Sequence, residues 1–430
     1  MNDIVIRGGR VVDVTGERTA DVRIAGCEIV EVGPDLPVDG ARELDAGGCV
    51  VAPGLVDIQV HLREPGREEA ETIETGSRAA ALGGFTAVQA MPNTVPPLDD
   101  AAVVRSVLDR ARTALCGVVV AGCITKGRAG RELAPMGELY DVGVRVFTDD
   151  GDCVGDSRVM QRAFEYASAL EGAVIAQHAE DPALVHGGHM HEGEWSSRLG
   201  IPGRPAEAES IVVARDLDLV RRTGCRYHVL HISTAGAVGL VRAAKAEGLA
   251  VTAEATPQHF TLTDAECASF DPVFKMNPPL RGTADVDAVR SGLVDGTIDA
   301  IASDHAPHAP ETKEQPFEEA PPGMLGLETS LAVALTELVH PGVCSLTHAL
   351  GALSWRPAAI ARIDGHGGPV EAGARAHLCV IDPTCVWEVD PDRLASRSKN
   401  TPWTGRKLTG RVRHTMFDGE PVVVDGEAQR

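Results

Sequence analysis

Five residues that could bind a metal ion each stand at the end of a short apolar run: His61, Asp150, His178, His231 and Asp304. Imidazole together with carboxylate is the ligand set expected for Zn²⁺. Taken singly, a histidine at a strand end is more often a structural hydrogen-bonding residue, and an aspartate before glycine is usually a turn residue. Five such residues in equivalent positions predict one metal-dependent site, where a shared carboxylate could hold two ions about 3.5–4 Å apart.

The apolar runs that precede these residues belong to a repeating pattern in which strand-like and helix-like segments alternate. The runs are Gly54–His61, Phe85–Asn93, Val118–Thr125, Val144–Asp150, Ala173–His178, Tyr227–Ser233, Ala250–Thr256 and Asp299–Asp304. Segments such as Glu68–Leu82 have the composition of the intervening helices. Eight such units predict an α/β fold, a (β/α)₈ TIM barrel, whose functional groups come from the carboxyl ends of different strands.

The two ends of the chain have another pattern. Short alternating runs punctuated by glycine fill residues 1–50 and are expected to form antiparallel strands, and the C-terminal runs His377–Asp382 and Val412–Phe417 are similar. These features predict a small β-sandwich domain formed from both chain termini. We expect it to comprise residues 1–53 plus 365–430, with the catalytic barrel domain at residues 54–364.

The overall charge limits the possible partners. Lys and Arg number 40 and Asp and Glu 62, so the formal net charge is -22. An acidic surface of this kind repels nucleic acid and anionic lipid, so we expect neither as a partner. The ten cysteines include no C-x-x-C pair, no signal peptide is recognisable, and no apolar stretch approaches the ~18 residues of a membrane span. The sequence therefore predicts a cytoplasmic protein.

The segment VHLREPG at 60–66 resembles the signature of the dihydroorotases, within the amidohydrolase superfamily. Further segments match that family in the same order: MPNT at 91–94, FTDDG at 147–151, QHAE at 177–180, HIS at 231–233, MNPPLR at 276–281, SDHAPH at 303–308 and GMLGLE at 323–328. The resemblance covers nearly the whole chain, and as an ordered set these motifs are highly specific.

The resemblance implies a zinc-dependent enzyme that interconverts N-carbamoyl-L-aspartate and L-dihydroorotate in pyrimidine biosynthesis, with one or two zinc ions per chain. It assigns His61 to the more exposed metal site, and Asp150 to the bridging position that is often a carbamylated lysine in related enzymes. It assigns His178 and His231 to the second metal. Asp304 matches the general base, which also contacts metal.

The resemblance also implies the substrate-binding residues: Arg63, Asn93, Asn277 and His308. An arginine can hold a carboxylate through two parallel hydrogen bonds, which suits the substrate carboxylate. Two alternatives stay open at this point. Arg63 could form an ion pair with Glu64, and Asn93 could be a turn residue.

One position departs from the family. The first strand usually ends in His-x-His, but here Gln59 occupies the place of the first histidine. A carboxamide oxygen is a poor zinc ligand beside imidazole, so the metal site shared by Gln59, His61 and Asp304 is expected to be weakened. One tightly bound zinc, two zincs of which one is labile, and an impaired enzyme are all compatible with this change.

Two rival functions follow. A sister cyclic amidohydrolase acting on hydantoins, dihydropyrimidines or allantoin would share the barrel and the metal ligands. The implied carboxylate-binding pair of Arg63 and Asn93, and Asp150 in place of lysine, favour dihydroorotase. A catalytically silent partner of another pyrimidine-pathway enzyme is supported only by Gln59. By analogy with the family we expect a homodimer, and an aspartate transcarbamoylase complex is an additional possibility.

Overall fold

The computed structural model describes residues 3–430, and its central feature is a parallel barrel. The eight barrel strands, numbered here in chain order, are Leu55–Val60, Phe85–Ala90, Gly117–Val120, Val146–Phe147, Val174–Gln177, Arg226–Val229, Val251–Ala255 and Ala300–Ile301. They form a three-stranded and a five-stranded parallel segment. Parallel bridges from Gly122 to Phe147 and from Val60 to His305 join the two segments at both edges, so the barrel closes. The predicted (β/α)₈ barrel is confirmed.

Each observed strand coincides with a predicted run, but most end earlier at their carboxyl ends. The fourth run was expected to continue to Asp150, whereas regular pairing ends at Phe147. Beyond these ends only single backbone bonds continue the ladder, such as that from the amide of His61 to the carbonyl of His305 at 2.9 Å. The side chains expected to do chemistry therefore stand just past the regular strands.

Helices cover the outside of the barrel. The main ones are Ile73–Leu82, Ala101–Arg110, Met136–Asp141, Ser157–Ala167, Glu207–Thr223, Ala235–Ala246, Thr283–Asp295, Leu346–Leu353 and Trp355–Ala361. Shorter helices are Glu194–Leu199, Pro310–Lys313 and Ser330–Ala334, the last continuing into a π turn at Leu335–Val339. The outer helices present apolar side chains to the strands, as where Phe164 meets the edge of Tyr227 with ring centroids 5.6 Å apart.

The first outer helix begins later than its composition predicts. Glu68 was expected to start it, but the helix begins at Ile73 because Thr72 is extended and its hydroxyl accepts a hydrogen bond from the amide of Thr75. Such a cap satisfies a backbone donor that the helix itself cannot. Residues 61–72 consequently form a loop at the barrel mouth.

Strands from both chain ends form two sheets beside the barrel. A four-stranded sheet has the order Glu28–Gly33, Asp21–Ala25, Ile4–Arg7, Arg42–Asp45. A seven-stranded sheet has the order Glu427–Ala428, Glu420–Val424, Lys407–Phe417, Leu378–Glu388, Val50–Pro53, Arg10–Asp13, Gly16–Thr19. Apolar side chains such as Ile24, Val51 and Val380 form one buried cluster shared by the two sheets, which is the expected sandwich.

The expectation of purely antiparallel strands at the N-terminus was wrong. Ile4–Arg7 pairs in parallel with Arg42–Asp45, and Arg10–Asp13 pairs in parallel with Val50–Pro53. Antiparallel pairs, such as Ile4–Arg7 with Asp21–Ala25, lie in the same sheets, so the pairing is mixed. The exact division into residues 1–53 plus 365–430 and 54–364 stays a prediction. Within residues 3–430, none of the helices has the length and apolar character needed to cross a membrane.

Candidate active site and metal centre

The carboxyl ends of the barrel strands surround a cavity of about 230 Å³. Nine of the ten residues singled out from the sequence line it: His61, Arg63, Asn93, Asp150, His178, His231, Asn277, Asp304 and His308. The tenth, Gln59, is fully buried near the cavity, in contact with Asp150. A larger cavity of about 1030 Å³ lies outside the barrel mouth, against helix Ile73–Leu82 and strand Lys407–Phe417, and none of the ten lines it.

Three of these side chains form a compact group suited to a metal ion. One ligand atom each from Asp150, His178 and His231 lies within 4.8 Å of the others, and all three residues are buried. Nδ1 of His178 is 2.9 Å from Nε2 of His231, and Oδ1 of Asp150 lies 3.3 Å from the latter and 3.6 Å from the former. Ligand atoms about 2.0–2.1 Å from a tetrahedral Zn²⁺ stand at comparable mutual distances. The donor set and spacing therefore fit a zinc ion.

The electrostatics of the group also require a positive charge there. Burial lowers the pKa of His178, but Asp150 and Glu180 outweigh it and raise that pKa to about 10. Burial raises the pKa of Asp150, whereas hydrogen bonds from His178 and His231 hold it well below the usual value. Two buried imidazole nitrogens in contact with an ionised carboxylate need either a proton or a metal cation between them.

Glu180 fixes the ring of His178, and the sequence reasoning gave this residue no role. Its Oε2 accepts from Nε2 of His178 at 3.1 Å and from Nη1 of Arg204 at 3.0 Å. Burial raises the pKa of Glu180, but the charge and hydrogen bond of His178 lower it to about 2. A histidine that donates one ring N–H to a carboxylate presents its other nitrogen to a metal. The signal available beforehand was an acidic residue two positions after a strand-end histidine.

Gln59 presents its amide nitrogen, and not its oxygen, to the carboxylate of Asp150. Nε2 of Gln59 donates to Oδ1 of Asp150 at 3.2 Å. The carboxamide oxygen is buried and has no hydrogen-bond partner within residues 3–430. An N–H group cannot bind a cation, so in this orientation Gln59 offers no ligand atom to a metal and donates to Asp150 instead.

His61 and Asp304 form a separate pair beside the three-residue group. Nε2 of His61 is 3.0 Å from Oδ1 of Asp304 and 3.5 Å from Oδ2 of Asp150. Nδ1 of His61 contacts Oδ1 of Asn93 at 2.9 Å, and since an amide oxygen only accepts, the ring donates there. Asn93 therefore fixes the orientation of the His61 ring, as Glu180 fixes that of His178. Asn93 is thus more than a turn residue.

Arg63 is buried at the cavity wall and does not pair with Glu64. Its Nε donates to the carbonyl of Pro307 at 3.0 Å, whereas Glu64 pairs with Arg110 at 2.6 Å. Burial, and next the positive charge of Arg67, lower the pKa of Arg63 to about 10, which leaves it charged at neutral pH. Among residues 3–430 no carboxylate pairs with Arg63, and such a buried guanidinium is suited to an anionic ligand.

His308 lies beside Arg63 as a neutral ring. Its Nε2 donates to the carbonyl of Pro322 at 2.8 Å. Burial, followed by the charge of Arg63, lowers the pKa of His308 to about 2. Since the ring carries no charge at neutral pH, the cationic character of this wall comes from arginines such as Arg63.

The backbone at the mouth is strained where these side chains turn inward. Arg63, His231 and Asp304 have φ of 62°, 32° and 45°, in the left-handed region that disfavours residues with a side chain. Such conformations cost on the order of 1–3 kcal/mol each and cluster at functional sites. The surrounding fold holds these three residues in positions that local preference would not select.

Comparisons with known proteins agree with this geometry. A family model described as dihydro-orotase-like matches residues 48–237. A dihydroorotase of Streptomyces coelicolor is 47% identical over 430 residues, covering 99% of this chain and 100% of the relative. A dihydroorotase of Pelotomaculum thermopropionicum is 47% identical, with 98% of this chain and 99% of the relative covered.

A solved structure shares the same architecture along the full chain. The L-hydantoinase (dihydropyrimidinase) of Arthrobacter aurescens superposes with a TM-score of 0.90 at 28% identity, covering 100% of this chain and 98% of that one. The full-length identity to the two relatives and the match of the family model decide between the sister families. The chain belongs to the dihydroorotase family.

Proposed function

We propose that this protein is a metal-dependent cyclic amidohydrolase that interconverts N-carbamoyl-L-aspartate and L-dihydroorotate. The observation that carries the proposal is a charged, buried Arg63 on the same small cavity as the metal-binding group of Asp150, His178 and His231. A cyclic amide that bears a carboxylate would engage both features together. The names of the full-length relatives support the same reaction.

We propose zinc as the metal and one ion per chain. Asp150, His178 and His231 would hold it, and the hydrogen bond from Gln59 to Asp150 disfavours a second ion. When bound, zinc lowers the pKa of a water molecule to about 7 and polarises the amide carbonyl. His61 and Asp304 are then a hydrogen-bonded pair at 3.0 Å, and neither is needed to hold the first ion.

The chain's own residues would move the proton and orient the substrate. In the hydrolytic direction Asp304 would accept the proton of the attacking water and deliver it to the departing ring nitrogen. Arg63, supported by Asn93, Asn277 and His308 on the same cavity wall, would bind the carboxylate that does not react. Ring closure reverses these steps: Asp304 would first accept the proton of the attacking nitrogen and then return it to the departing water.

A neutral ring substrate is the alternative that the hydantoinase neighbour suggests. Arg63 argues against it, because a hydantoin without a carboxylate would leave a buried guanidinium unpaired. A catalytically silent protein is argued against by the intact metal-binding group and by the pairing of His61 with Asp304.

The experiment is hydrolysis of dihydroorotate by the purified protein, with zinc per chain measured on the same sample. Activity with about one zinc per chain is expected. Inactivity after zinc is added would contradict the proposed reaction and favour the silent protein. Activity only on hydantoins would assign the chain to a sister function.

Four further expectations stay predictions: a homodimer, an association with aspartate transcarbamoylase, a cytoplasmic location, and the domain division at residues 54–364. Light scattering on the purified chain tests the first, and co-purification with aspartate transcarbamoylase tests the second. Expression of residues 54–364 alone tests whether that range folds as a domain.

A further inference from the structure

Arg67 lines the cavity of about 230 Å³ described above, called here the catalytic cavity, and its side chain has no partner among residues 3–430. It lines both this cavity and an adjoining one of about 470 Å³, and the two share the wall formed by Arg63, Arg67, His308 and Pro321. Its side chain is exposed and makes no hydrogen bond or ion pair within residues 3–430. By contrast, Arg128, which also lines the catalytic cavity, is paired with Asp152 at 2.5 Å. Arg67 is thus an exposed positive charge at the rim of the catalytic cavity that is free to interact with a ligand.

The charge of Arg67 opposes that of the rest of the molecule. The chain carries a net charge of -22, so an anion meets repulsion over most of the surface. Glu69, Glu311 and Glu319 line the adjoining cavity as well, which confines the positive charge to the wall it shares with the catalytic cavity. An anionic substrate that follows this wall is guided towards Arg63.

The two ligands of the proposed reaction differ in charge by one unit. Ring closure consumes one proton and releases one water, so N-carbamoyl-aspartate, a dianion, becomes dihydroorotate, a monoanion. Arg63 can pair with the carboxylate that both ligands keep. The carboxylate that disappears on closure is an additional negative charge, which only the open-chain form brings to the cavity.

We propose that Arg67 is a specificity-determining residue that attracts each ligand in proportion to its total charge, and therefore favours the open-chain dianion over the cyclic monoanion. The proposal rests on the proposed function above. Because Arg67 is exposed, its attraction is a modest, long-range effect that salt screens. It acts on the free substrate and on the bound open-chain form, and it takes no part in the bond changes.

The test compares Arg67→Gln with Arg67→Lys, which keeps the charge, and with Arg112→Gln. Arg112 is 79% exposed and follows helix Ala101–Arg110 just before the third barrel strand, at the end of the barrel opposite the cavity, so its loss changes net charge equally. KM is measured for both ligands in all variants. Ionic strength is varied from about 0.01 M to about 1 M, over which the Debye length falls from about 30 Å to about 3 Å.

In Arg67→Gln at low salt, the KM for N-carbamoyl-aspartate is expected to rise about two- to five-fold, with a smaller rise for dihydroorotate. Hydrolysis and ring closure share one transition state, so kcat/KM falls by the same factor in both directions. The preference for one ligand over the other is therefore measured from the two KM values. The difference should vanish at high salt, and Arg67→Lys and Arg112→Gln should behave as wild type.

Equal changes of KM for the two ligands, or no change in Arg67→Gln, would overturn the role of Arg67 while leaving the proposed function intact. A loss in Arg67→Lys as large as that in Arg67→Gln would also overturn it, because charge would then not be the cause. A wild-type protein inactive on both ligands would overturn the proposed function together with this inference.

Discussion

Glu180 accepts a hydrogen bond from His178 at 3.1 Å, and this contact directs the opposite ring nitrogen of His178 towards His231 and Asp150. Arg204 donates to the same carboxylate at 3.0 Å, which fixes Glu180 in turn. The barrel strands bring the histidine to the mouth, but this contact decides which of its nitrogens is available to a metal.

Replacing Glu180 with Gln should weaken metal binding. The amide is neutral and supports the imidazole less well, and loss of such a partner typically lowers metal affinity about 10- to 100-fold. Zinc retained during titration with a competing chelator measures this, with Glu194→Gln, an exposed residue of the next helix, as the control. Unchanged zinc affinity in a folded Glu180→Gln protein would contradict the role of Glu180.

Replacing Asp304 with Asn should abolish most turnover while leaving the fold and the zinc content unchanged. The amide cannot accept the proton, and a positioned acid or base contributes about 10²- to 10⁴-fold to rate. Steady-state hydrolysis, thermal melting and zinc per chain are measured beside Asp287→Asn, an exposed change on helix Thr283–Asp295. Near-wild-type turnover would eliminate Asp304 as the base, and loss of all zinc would show that it holds the single ion.

Replacing Gln59 with His should raise the zinc content from about one to about two ions per chain. Imidazole is a better zinc ligand than carboxamide, and the change removes the N–H that Gln59 donates to Asp150 at 3.2 Å. Elemental analysis after zinc loading and dialysis measures the content, and Gln59→Asn, which keeps an amide, should stay at one. Two ions in the wild type, or one in a well-folded Gln59→His protein, would show that Gln59 does not set the count.

Replacing Asp13 with Asn should lower the stability of the sheet shared by the two chain ends. Asp13 accepts hydrogen bonds from Arg18 at 3.0 Å and from the amide of Val370 at 2.9 Å, and the new N–H group would face such donors. The expected cost is about 1–3 kcal/mol in the free energy of unfolding at neutral pH. Denaturant unfolding measures it, with the exposed Asp364→Asn as the control.

The same substitution has a defined pH dependence. Burial raises the pKa of Asp13, but hydrogen bonds from Arg18 and Thr15 outweigh it, so the pKa lies below the ordinary value of 3.8. A carboxyl group whose pKa is lower in the folded than in the unfolded chain stabilises the fold at pH values above the unfolded pKa. That stabilisation is lost as the pH falls through the pKa of the folded chain. The difference between wild type and Asp13→Asn should therefore be full at neutral pH and shrink below about pH 3.8. A difference independent of pH would contradict this assignment.

Much of the architecture could be read from the sequence. Eight apolar runs of strand length, separated by helix-like segments, predicted the barrel because periodicity and turn residues are local properties of the chain. Strand-end residues as far apart as His61 and Asp304 were expected at one mouth for a topological reason, since parallel strands that close a barrel present all their carboxyl ends on one face. Within the structure both side chains line the same cavity.

Other features were decided only by tertiary contacts. Gln59 could have offered its oxygen or its nitrogen to Asp150, and Arg63 could have paired with Glu64; in each case the choice depends on groups distant in sequence, such as Pro307. The mixed pairing of the N-terminal strands depends on partners distant in sequence, such as Arg42–Asp45 for Ile4–Arg7. Composition and periodicity determine which segments are strands and helices, whereas hydrogen-bond direction, ring orientation and strand partner depend on atoms that only the folded chain brings together.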